Sequence, residues 1–241
     1  MMSVIPGVPC HALSAVQANF SVTQIEENGG SDSYEVRVNG TRIRGEMSAQ
    51  DTLTFMGRHV PEAVAVLARN FVLVHAAVVA WQGRAALFPG SSWSGKTALA
   101  MALVEAGAVY YSDEYAVLDC NANVHSYLRP PQVRAGAEYE TASRLKQAIS
   151  RGLTPPPPVP VGLVLMCSYS EDAAWRPRPL TCPQALFEML AHTIAVRYKP
   201  ELSLRILGKV SSAARSFQSE RGEARAIANA VLALLHSESV S

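Results

Sequence analysis

The sequence predicts an α/β protein with a mixed β-sheet and flanking helices. Apolar runs with the length of buried strands alternate with segments whose apolar residues recur at helical spacing. Residues 71–88 have the pattern of an antiparallel hairpin, whereas residues 85–112 read as strand, glycine loop, helix and parallel strand. A chain of 241 residues, 49% of them hydrophobic, is long enough for one substantial core with a small appendage.

Residues 1–60 are predicted to form a small β-rich N-terminal segment. Apolar and polar residues alternate over residues 34–38 and again over residues 41–44. Asn39-Gly40 between them is a strong signal for a two-residue hairpin turn, because both turn positions need a positive φ. This pattern predicts a β-hairpin.

A larger domain is predicted over residues 61–241, and it is expected to begin with a short helix. Pro61 is tolerated in the first turn of a helix, where its missing N–H needs no partner. Glu62 beside it is favourable near the positive end of the helix dipole. We therefore expect a helix that starts at Pro61 and runs through Ala68.

The next segment predicts a hairpin that runs directly into a glycine-rich loop. Residues 71–80 are apolar and rich in valine, Gln82-Gly83 makes a turn, and residues 84–88 return. With the turn centred on these two residues, His75 faces Gly90 across the ladder, at the entrance of the loop. A histidine in an apolar strand is more often a satisfied core residue, so a core role and a site role for His75 both stay open.

The loop has the pattern that cradles the phosphates of a nucleotide. Glycines let the backbone turn its N–H groups inward, Lys96 can reach the outer phosphates, and the Thr97 hydroxyl can hold a magnesium ion. The strand before the loop and the helix after it complete an anion site at a helix N-terminus. An ordinary Gly-Ser turn before a helix is the alternative. The residues predicted to bind the nucleotide are Gly90, Ser91, Ser92, Trp93, Ser94, Gly95, Lys96 and Thr97.

Two carboxylates after the next strand complete the predicted site. Gly107 is expected to end the helix, and residues 108–112 to form a strand parallel to the one before the loop, which places Asp113-Glu114 beside the phosphates. Phosphoryl transfer needs a carboxylate near the γ-phosphate, to hold the metal or to accept the proton of the attacking hydroxyl. Because neighbours on an extended strand point to opposite faces, we expect Asp113 to act as base and Glu114 to hold the metal together with Thr97. A solvated acidic turn is the alternative.

The remaining segments continue the alternation of strands and helices. Residues 115–128 predict a second hairpin. Residues 129–160 are rich in proline and predict a surface excursion, which is either a lid or substrate loop or a passive connector. Arg129 and Arg134 on this excursion are candidates for contacts with nucleotide or substrate. The excursion contains a helical patch over residues 139–150. After it we expect a strand over residues 161–167, a helix over 183–196, a strand over 215–219 and a closing helix over 223–236.

Composition and charge argue against several classes of function. The formal net charge of +1 gives no electrostatic footprint for nucleic acid or an anionic membrane. Residues 1–20 lack the features of a secretory signal, and charged residues interrupt the apolar stretch of residues 60–80. We therefore expect a cytoplasmic protein that binds neither nucleic acid nor membranes. Four cysteines without close pairing predict reduced thiols rather than a zinc site, and these are Cys10, Cys120, Cys167 and Cys182.

These residues resemble the catalytic domain of HPr serine kinase/phosphorylase, a fold related to that of phosphoenolpyruvate carboxykinase. The resemblance is specific over residues 71–120, and it comprises His75 in an apolar strand, the hairpin into the glycine loop, and Ser112-Asp113-Glu114. It implies a P-loop HPr kinase/phosphoenolpyruvate carboxykinase-like fold, with catalytic roles for His75, Lys96 and Asp113. The acidic pair is Asp-Glu where the family usually has Asp-Asp, and Trp93 stands where the family often has glycine.

The resemblance implies an ATP- and magnesium-dependent kinase that phosphorylates a serine hydroxyl of a peptide or protein. The size of the chain and residues 112–115 look more like stand-alone HPr-kinase-like proteins, some of which phosphorylate the C-terminal serine of lasso-peptide precursors. A small-molecule hydroxyl kinase, and a nucleotide-binding regulatory module without chemistry, are the alternatives. The sequence leaves open the acceptor, a reverse phosphorolysis and the formation of a homo-oligomer.

Overall fold

The chain divides into two compact units between Arg69 and Asn70. Because the predicted boundary at residue 60 falls inside a helix, the smaller unit extends beyond the predicted β-rich segment. No helix among the described residues is long and apolar enough to cross a membrane. The structure is a computed structural model that describes residues 18–26, 32–91, 94–133, 139–194 and 196–236.

The smaller unit consists of a three-stranded antiparallel sheet followed by one helix. Its elements are β1 (Phe20–Glu26), β2 (Asp32–Val38), β3 (Thr41–Met47) and α1 (Ala49–Leu67), and the strands follow the order β1-β2-β3. Asn39 and Gly40, between β2 and β3, have φ angles of 50° and 82°. Two successive positive φ angles are those of the two-residue hairpin turn, so the predicted hairpin is confirmed.

The predicted start of helix α1 is wrong. The helix is capped by Ser48, whose hydroxyl accepts the Asp51 N–H at 3.1 Å, and Asp51 also places a negative charge in the first turn. Pro61 therefore lies inside the helix, where it is buried and interrupts one backbone hydrogen bond. The Ser48 cap was the better start signal, because a serine three residues before an acidic residue satisfies N–H groups that have no partner within the helix.

The larger unit carries an eight-stranded mixed sheet with helices on both faces. The predicted α/β class, with a mixed sheet and flanking helices, is therefore confirmed. The elements are β4 (Phe71–Trp81), β5 (Arg84–Pro89), α2 (Lys96–Glu105), β6 (Val109–Ser112), β7 (Tyr115–Asp119), β8 (Asn123–His125), α3 (Glu140–Ser150), β9 (Val159–Tyr169), β10 (Arg178–Pro179), α4 (Cys182–Ala191), α5 (Pro200–Ala213), β11 (Arg215–Arg221) and α6 (Ala224–His236).

The strand order is β10-β11-β9-β5-β4-β7-β8, and β6 pairs with β4. Strands β5, β9 and β11 run parallel to one another, whereas β4 is antiparallel to β5 and β6. Strand β8 also pairs with the start of β9, so that β9, β5, β4, β7 and β8 close on themselves. Since β6 and β5 are both antiparallel to β4, they point in the same direction and end at the same edge.

Alternate residues of the central strands supply two hydrophobic cores, one on each face of the sheet. On β4, Ala77 and Val79 pack with apolar residues of α2 and α6, whereas Val74, Ala76 and Val78 pack with those of α4 and α5. The long apolar run of β4 is explained by this burial on both faces. The strand thus forms a rigid base for the loop that follows β5.

Helix α4 ends at Ala191, earlier than the predicted residue 196. After the helix, Thr193 forms a bridge with Val74, and the Ile194 N–H donates to the Leu73 carbonyl at 2.8 Å. The chain therefore leaves the helix to satisfy backbone groups of β4. The sequence interpretation left the segment of α5 unassigned, although Pro200 in its first turn is a typical start signal.

Candidate active site

The glycine loop connects β5 to α2 at the edge where the parallel strands end. The Gly90 N–H donates to the His75 carbonyl at 3.2 Å, which confirms the predicted register of the hairpin. Gly95, directly before α2, has a φ of 86°, a left-handed conformation that glycine adopts without strain. The Ser94 hydroxyl is buried and has no hydrogen-bond partner among the described residues. A hydroxyl without a partner beside a glycine turn is available to a ligand of the loop.

The Lys96 ammonium lies inside the loop, where it donates hydrogen bonds to two backbone carbonyls. Its Nζ donates to the Gly90 carbonyl at 2.9 Å and to the Ser91 carbonyl at 2.6 Å. The residue is 8% exposed, and within the described part of the chain no carboxylate lies within 4.0 Å of its Nζ. Burial lowers the pKa of Lys96 to about 8, although Asp113 and Glu114 oppose this shift. The cation is therefore desolvated and has no ion-pair partner among the described residues.

Thr97 and Asp113 meet beside the loop, as the parallel direction of β5 and β6 predicts. The Thr97 hydroxyl donates to Oδ2 of Asp113 at 3.1 Å. Two further donors fix the carboxylate, namely the Tyr110 hydroxyl at 2.8 Å and the Gln132 N–H at 3.1 Å. Asp113 is 8% exposed, so this carboxylate is held in one place next to the hydroxyl of the glycine loop. A solvated acidic turn, the alternative interpretation, does not describe Asp113.

Glu114 has different partners from Asp113. Its Oε2 accepts a hydrogen bond from Nη1 of Arg129 at 3.1 Å, and both side chains are about one-third exposed. Burial raises the pKa of Glu114, whereas the Arg129 charge opposes this shift. The Ser112 hydroxyl accepts the N–H groups of both Glu114 and Tyr115, which turns the chain between β6 and β7. The excursion thus supplies two groups to the carboxylate pair, Arg129 for Glu114 and the Gln132 N–H for Asp113.

Two histidines lie at the entrance of the loop. The His75 N–H donates to the His192 carbonyl at 2.8 Å, which brings the end of α4 against β4. Burial lowers the pKa of His75 to about 4, and the Lys96 charge adds to this effect. Burial and Lys96 also lower the pKa of His192. The His75 imidazole is therefore neutral at pH 7, beside the charged Lys96.

A cleft of about 630 Å³ opens beside the loop. Gly90, Ser91 and Ser94 of the loop line it together with residues of β9 and β11. The cleft is also lined by Arg176 and Arg178, by Glu188 of α4 and by His192, and within the described residues neither arginine has an ion-pair partner. The volume is that of a small-molecule site, and its position agrees with the rule that ligands of α/β sheets bind at the carboxyl ends of the strands.

The structure brings most of the predicted site residues together. His75, Gly90, Lys96, Thr97 and Asp113 surround one end of β5, with Glu114 next to them. Sequence reasoning missed Tyr110, whose hydroxyl reaches the Asp113 carboxylate three residues further along the chain. It also missed His192 and Arg221, because contacts across the fold rather than a motif place them near the loop. Three predicted contact residues lie outside the described part of the chain, and these are Ser92, Trp93 and Arg134.

The donor groups beside the loop are of the kinds that can contact a magnesium–nucleotide complex. Within the described ranges, no cluster of three or more His, Cys, Asp or Glu side chains could hold a metal ion. Magnesium often uses one or two protein ligands together with substrate phosphates, and the Thr97 hydroxyl with the carboxylates that follow β6, Asp113 and Glu114, offers such a set. The buried Lys96 ammonium fits the phosphates, as does the Ser94 hydroxyl, which has no hydrogen-bond partner among the described residues. No protein-family model matches this chain, and no curated protein is significantly similar to it in sequence.

Proposed function

We propose that the protein is an ATP- and magnesium-dependent kinase that phosphorylates a serine hydroxyl of a peptide or protein. The observation that carries this proposal is the buried Lys96 ammonium, which has no ion-pair partner among the described residues and lies in a glycine loop next to the Thr97–Asp113 hydrogen bond. A desolvated cation gains most from a multiply charged anion. A hydroxyl and a carboxylate beside it suit phosphoryl transfer, which depends chiefly on positioning and charge.

The residues have separate roles in the proposed reaction. Backbone N–H groups of the loop and Lys96 bind the β- and γ-phosphates of ATP. Thr97 and Glu114 would hold magnesium, which when bound neutralises charge on the phosphates. Asp113 would accept the proton of the attacking serine hydroxyl as its oxygen bonds to the γ-phosphorus and ADP leaves. The hydrogen bond from Thr97 to Asp113 supports a second role for Asp113, which is to orient the metal-binding hydroxyl.

The acceptor is proposed to enter through the cleft beside the loop. The cleft opens onto Gly90, Ser91 and Ser94, so a hydroxyl group bound there would approach the phosphates. A volume of about 630 Å³ suits the end of a peptide better than a folded surface, which agrees with a C-terminal serine such as that of a lasso-peptide precursor. The hairpin into the loop and the acidic pair after β6 support a P-loop HPr kinase/phosphoenolpyruvate carboxykinase-like fold for the larger unit.

The test is transfer of the labelled γ-phosphate of ATP to synthetic peptides. We expect label on a peptide that ends in serine and none on the matched peptide that ends in alanine. Lys96→Met should abolish transfer, whereas Lys146→Met, a matched change of an exposed lysine on α3, should leave it unchanged. ATP binding without a labelled product from any peptide or small hydroxyl compound would favour a nucleotide-binding module, and no ATP binding at all would refute the proposal.

A further inference from the structure

Arg221 is a buried guanidinium packed against the glycine loop. It ends β11 and is 2% exposed. Its Nη2 donates to the Gly95 carbonyl at 2.9 Å, and its Nη1 donates to the Gly222 carbonyl at 2.8 Å. Its Nε is buried and has no hydrogen-bond partner among the described residues. The guanidinium carbon lies 5.6 Å from the centre of the Tyr169 ring, so the cation is held by carbonyls and an aromatic face.

The structure shows no carboxylate partner for this buried cation within the described residues. No Asp or Glu oxygen of these ranges lies within 4.0 Å of its nitrogens. The neighbouring thiol of Cys167 does not serve as a counter-ion, because burial raises the pKa of Cys167 to about 11 and keeps the thiol neutral at pH 7. A buried charge without a partner is costly to the fold, so its retention calls for a function.

The contact with Gly95 controls the direction of a loop N–H. The Gly95 carbonyl also accepts the Leu99 N–H at 3.1 Å, the first hydrogen bond of α2, so two donors fix this peptide group. A trans peptide is planar, and therefore the Lys96 N–H points away from the Gly95 carbonyl and away from Arg221. A Cβ at Gly95 would lie 2.5 Å from Nη2 of Arg221, so the loop and the guanidinium pack without spare room.

We propose that Arg221 is a positioning residue of the phosphate loop. By holding the Gly95 carbonyl, it aims the Lys96 N–H at the start of α2 towards a bound polyphosphate, and it adds positive charge behind the loop. Only the identity of the ligand as a nucleotide rests on the proposed function. The role explains why a guanidinium without a carboxylate partner among the described residues is buried at this point, and why glycine is required at position 95.

The experiment compares three variants of the full chain by calorimetric titration with magnesium-ADP. Arg221→Ala leaves a cavity, Arg221→Met fills it without charge, and Arg221→Lys keeps the charge but has no planar fork to reach both carbonyls. We expect each variant to bind magnesium-ADP at least tenfold more weakly than the wild type. About 20 mM guanidinium should restore binding in Arg221→Ala but not in Arg221→Met, and urea at the same concentration should restore neither. Arg205→Met on α5, an exposed control, should bind like the wild type.

The outcomes separate this role from the proposed function. Binding within threefold of the wild type in Arg221→Met would overturn the positioning role, as would a loss in Arg221→Ala that guanidinium does not restore. If Arg221→Ala does not fold, the affinity of Arg221→Met relative to the wild type decides: a loss of tenfold or more supports the role, and binding within threefold overturns it. If the wild type itself binds no nucleotide, the kinase proposal fails. The positioning role of Arg221 is then tested by the amide NMR signals of Lys96 and Leu99 in the ligand-free protein. Unchanged signals in Arg221→Met would overturn the role, and shifted ones would support it.

Discussion

The buried ammonium of Lys96 makes the stability of the protein depend on pH in a defined window. Burial lowers its pKa from 10.5 to about 8 in the folded protein. Between these values the unfolded chain binds a proton that the folded chain does not, so stability rises with pH. The difference of about 2.5 pH units corresponds to roughly 3 kcal/mol of unfolding free energy. Wild type should therefore gain about this much, relative to Lys96→Met, as pH rises from 8 to 10.5.

The assay is urea unfolding of both proteins at several pH values from 7.5 to 10.5, without nucleotide or magnesium. The quantity of interest is how the difference in unfolding free energy between wild type and Lys96→Met changes with pH. The absolute size of this difference is not used, because it also contains the hydrogen bonds from Lys96 to Gly90 and Ser91. Any tyrosine that ionises near the upper end of this pH range is present in both proteins, so its contribution cancels when their unfolding free energies are subtracted. The exposed control Lys146→Met should run parallel to the wild type.

A flat difference between wild type and Lys96→Met over this window would refute the conclusion that the ammonium is desolvated without an ion-pair partner. Saturating magnesium-ATP should flatten the difference for another reason, since a bound polyanion raises the pKa of Lys96 towards that of the unfolded chain. The pH dependence of the stability difference is therefore measured both with and without magnesium-ATP. Only a steep slope without ligand and a shallow slope with ligand agree with the site.

Three further predictions concern the neighbouring residues. The folded-state pKa of His75 is lowered from 6.5 to about 4. Wild type should therefore lose roughly 3 kcal/mol of unfolding free energy relative to His75→Asn as pH falls from 6.5 to 4, measured by urea unfolding; parallel profiles would contradict this. Asp113→Asn should slow phosphoryl transfer by at least about 100-fold and leave the affinity for ADP within about threefold of the wild type. Glu114→Gln should chiefly raise the magnesium concentration that half-maximal activity requires, measured by steady-state kinetics. Equal effects of the two substitutions would refute the division of roles. Gly95→Ala should lower the free energy of unfolding, measured in urea, by at least about 1 kcal/mol more than Gly83→Ala does. Both glycines have similar φ angles, 86° and 78°, but only a Cβ at Gly95 meets a neighbour, the Arg221 guanidinium 2.5 Å away. Equal losses of stability would show that the Arg221 contact is not tight.

Local sequence signals predicted the part of the site that lies close together along the chain. Gln82-Gly83 has the positive φ angles of a two-residue turn, so the register that sets His75 opposite Gly90 followed from counting residues. The position of Asp113 beside Thr97 followed from the parallel direction that a crossover helix imposes. In both cases the constraint is local geometry, which one sequence is sufficient to specify.

The sequence did not predict contacts between distant segments. Arg221 lies 126 residues from Gly95, and no motif links an arginine at a strand end to a glycine loop. The early end of α4 depends on backbone pairing of residues 192–194 with β4, which periodicity does not reveal. The start of α1 was predicted wrongly for a different reason. Pro61 is a conspicuous residue, whereas the cap at Ser48 decides where the helix begins.

The two buried cations of the site, Lys96 and Arg221, have similar electrostatic environments. Lys96 and Arg221 both donate to loop carbonyls, and neither has a carboxylate within 4.0 Å among the described residues. Each bond to a carbonyl satisfies an N–H group but leaves the positive charge uncompensated. An anion bound at the loop would supply the missing charge to both, and it would meet the N-terminus of α2 as well. Since any ligand that binds only the folded state stabilises it, the same polyphosphate should raise the melting temperature of the wild type more than that of either Lys96→Met or Arg221→Met.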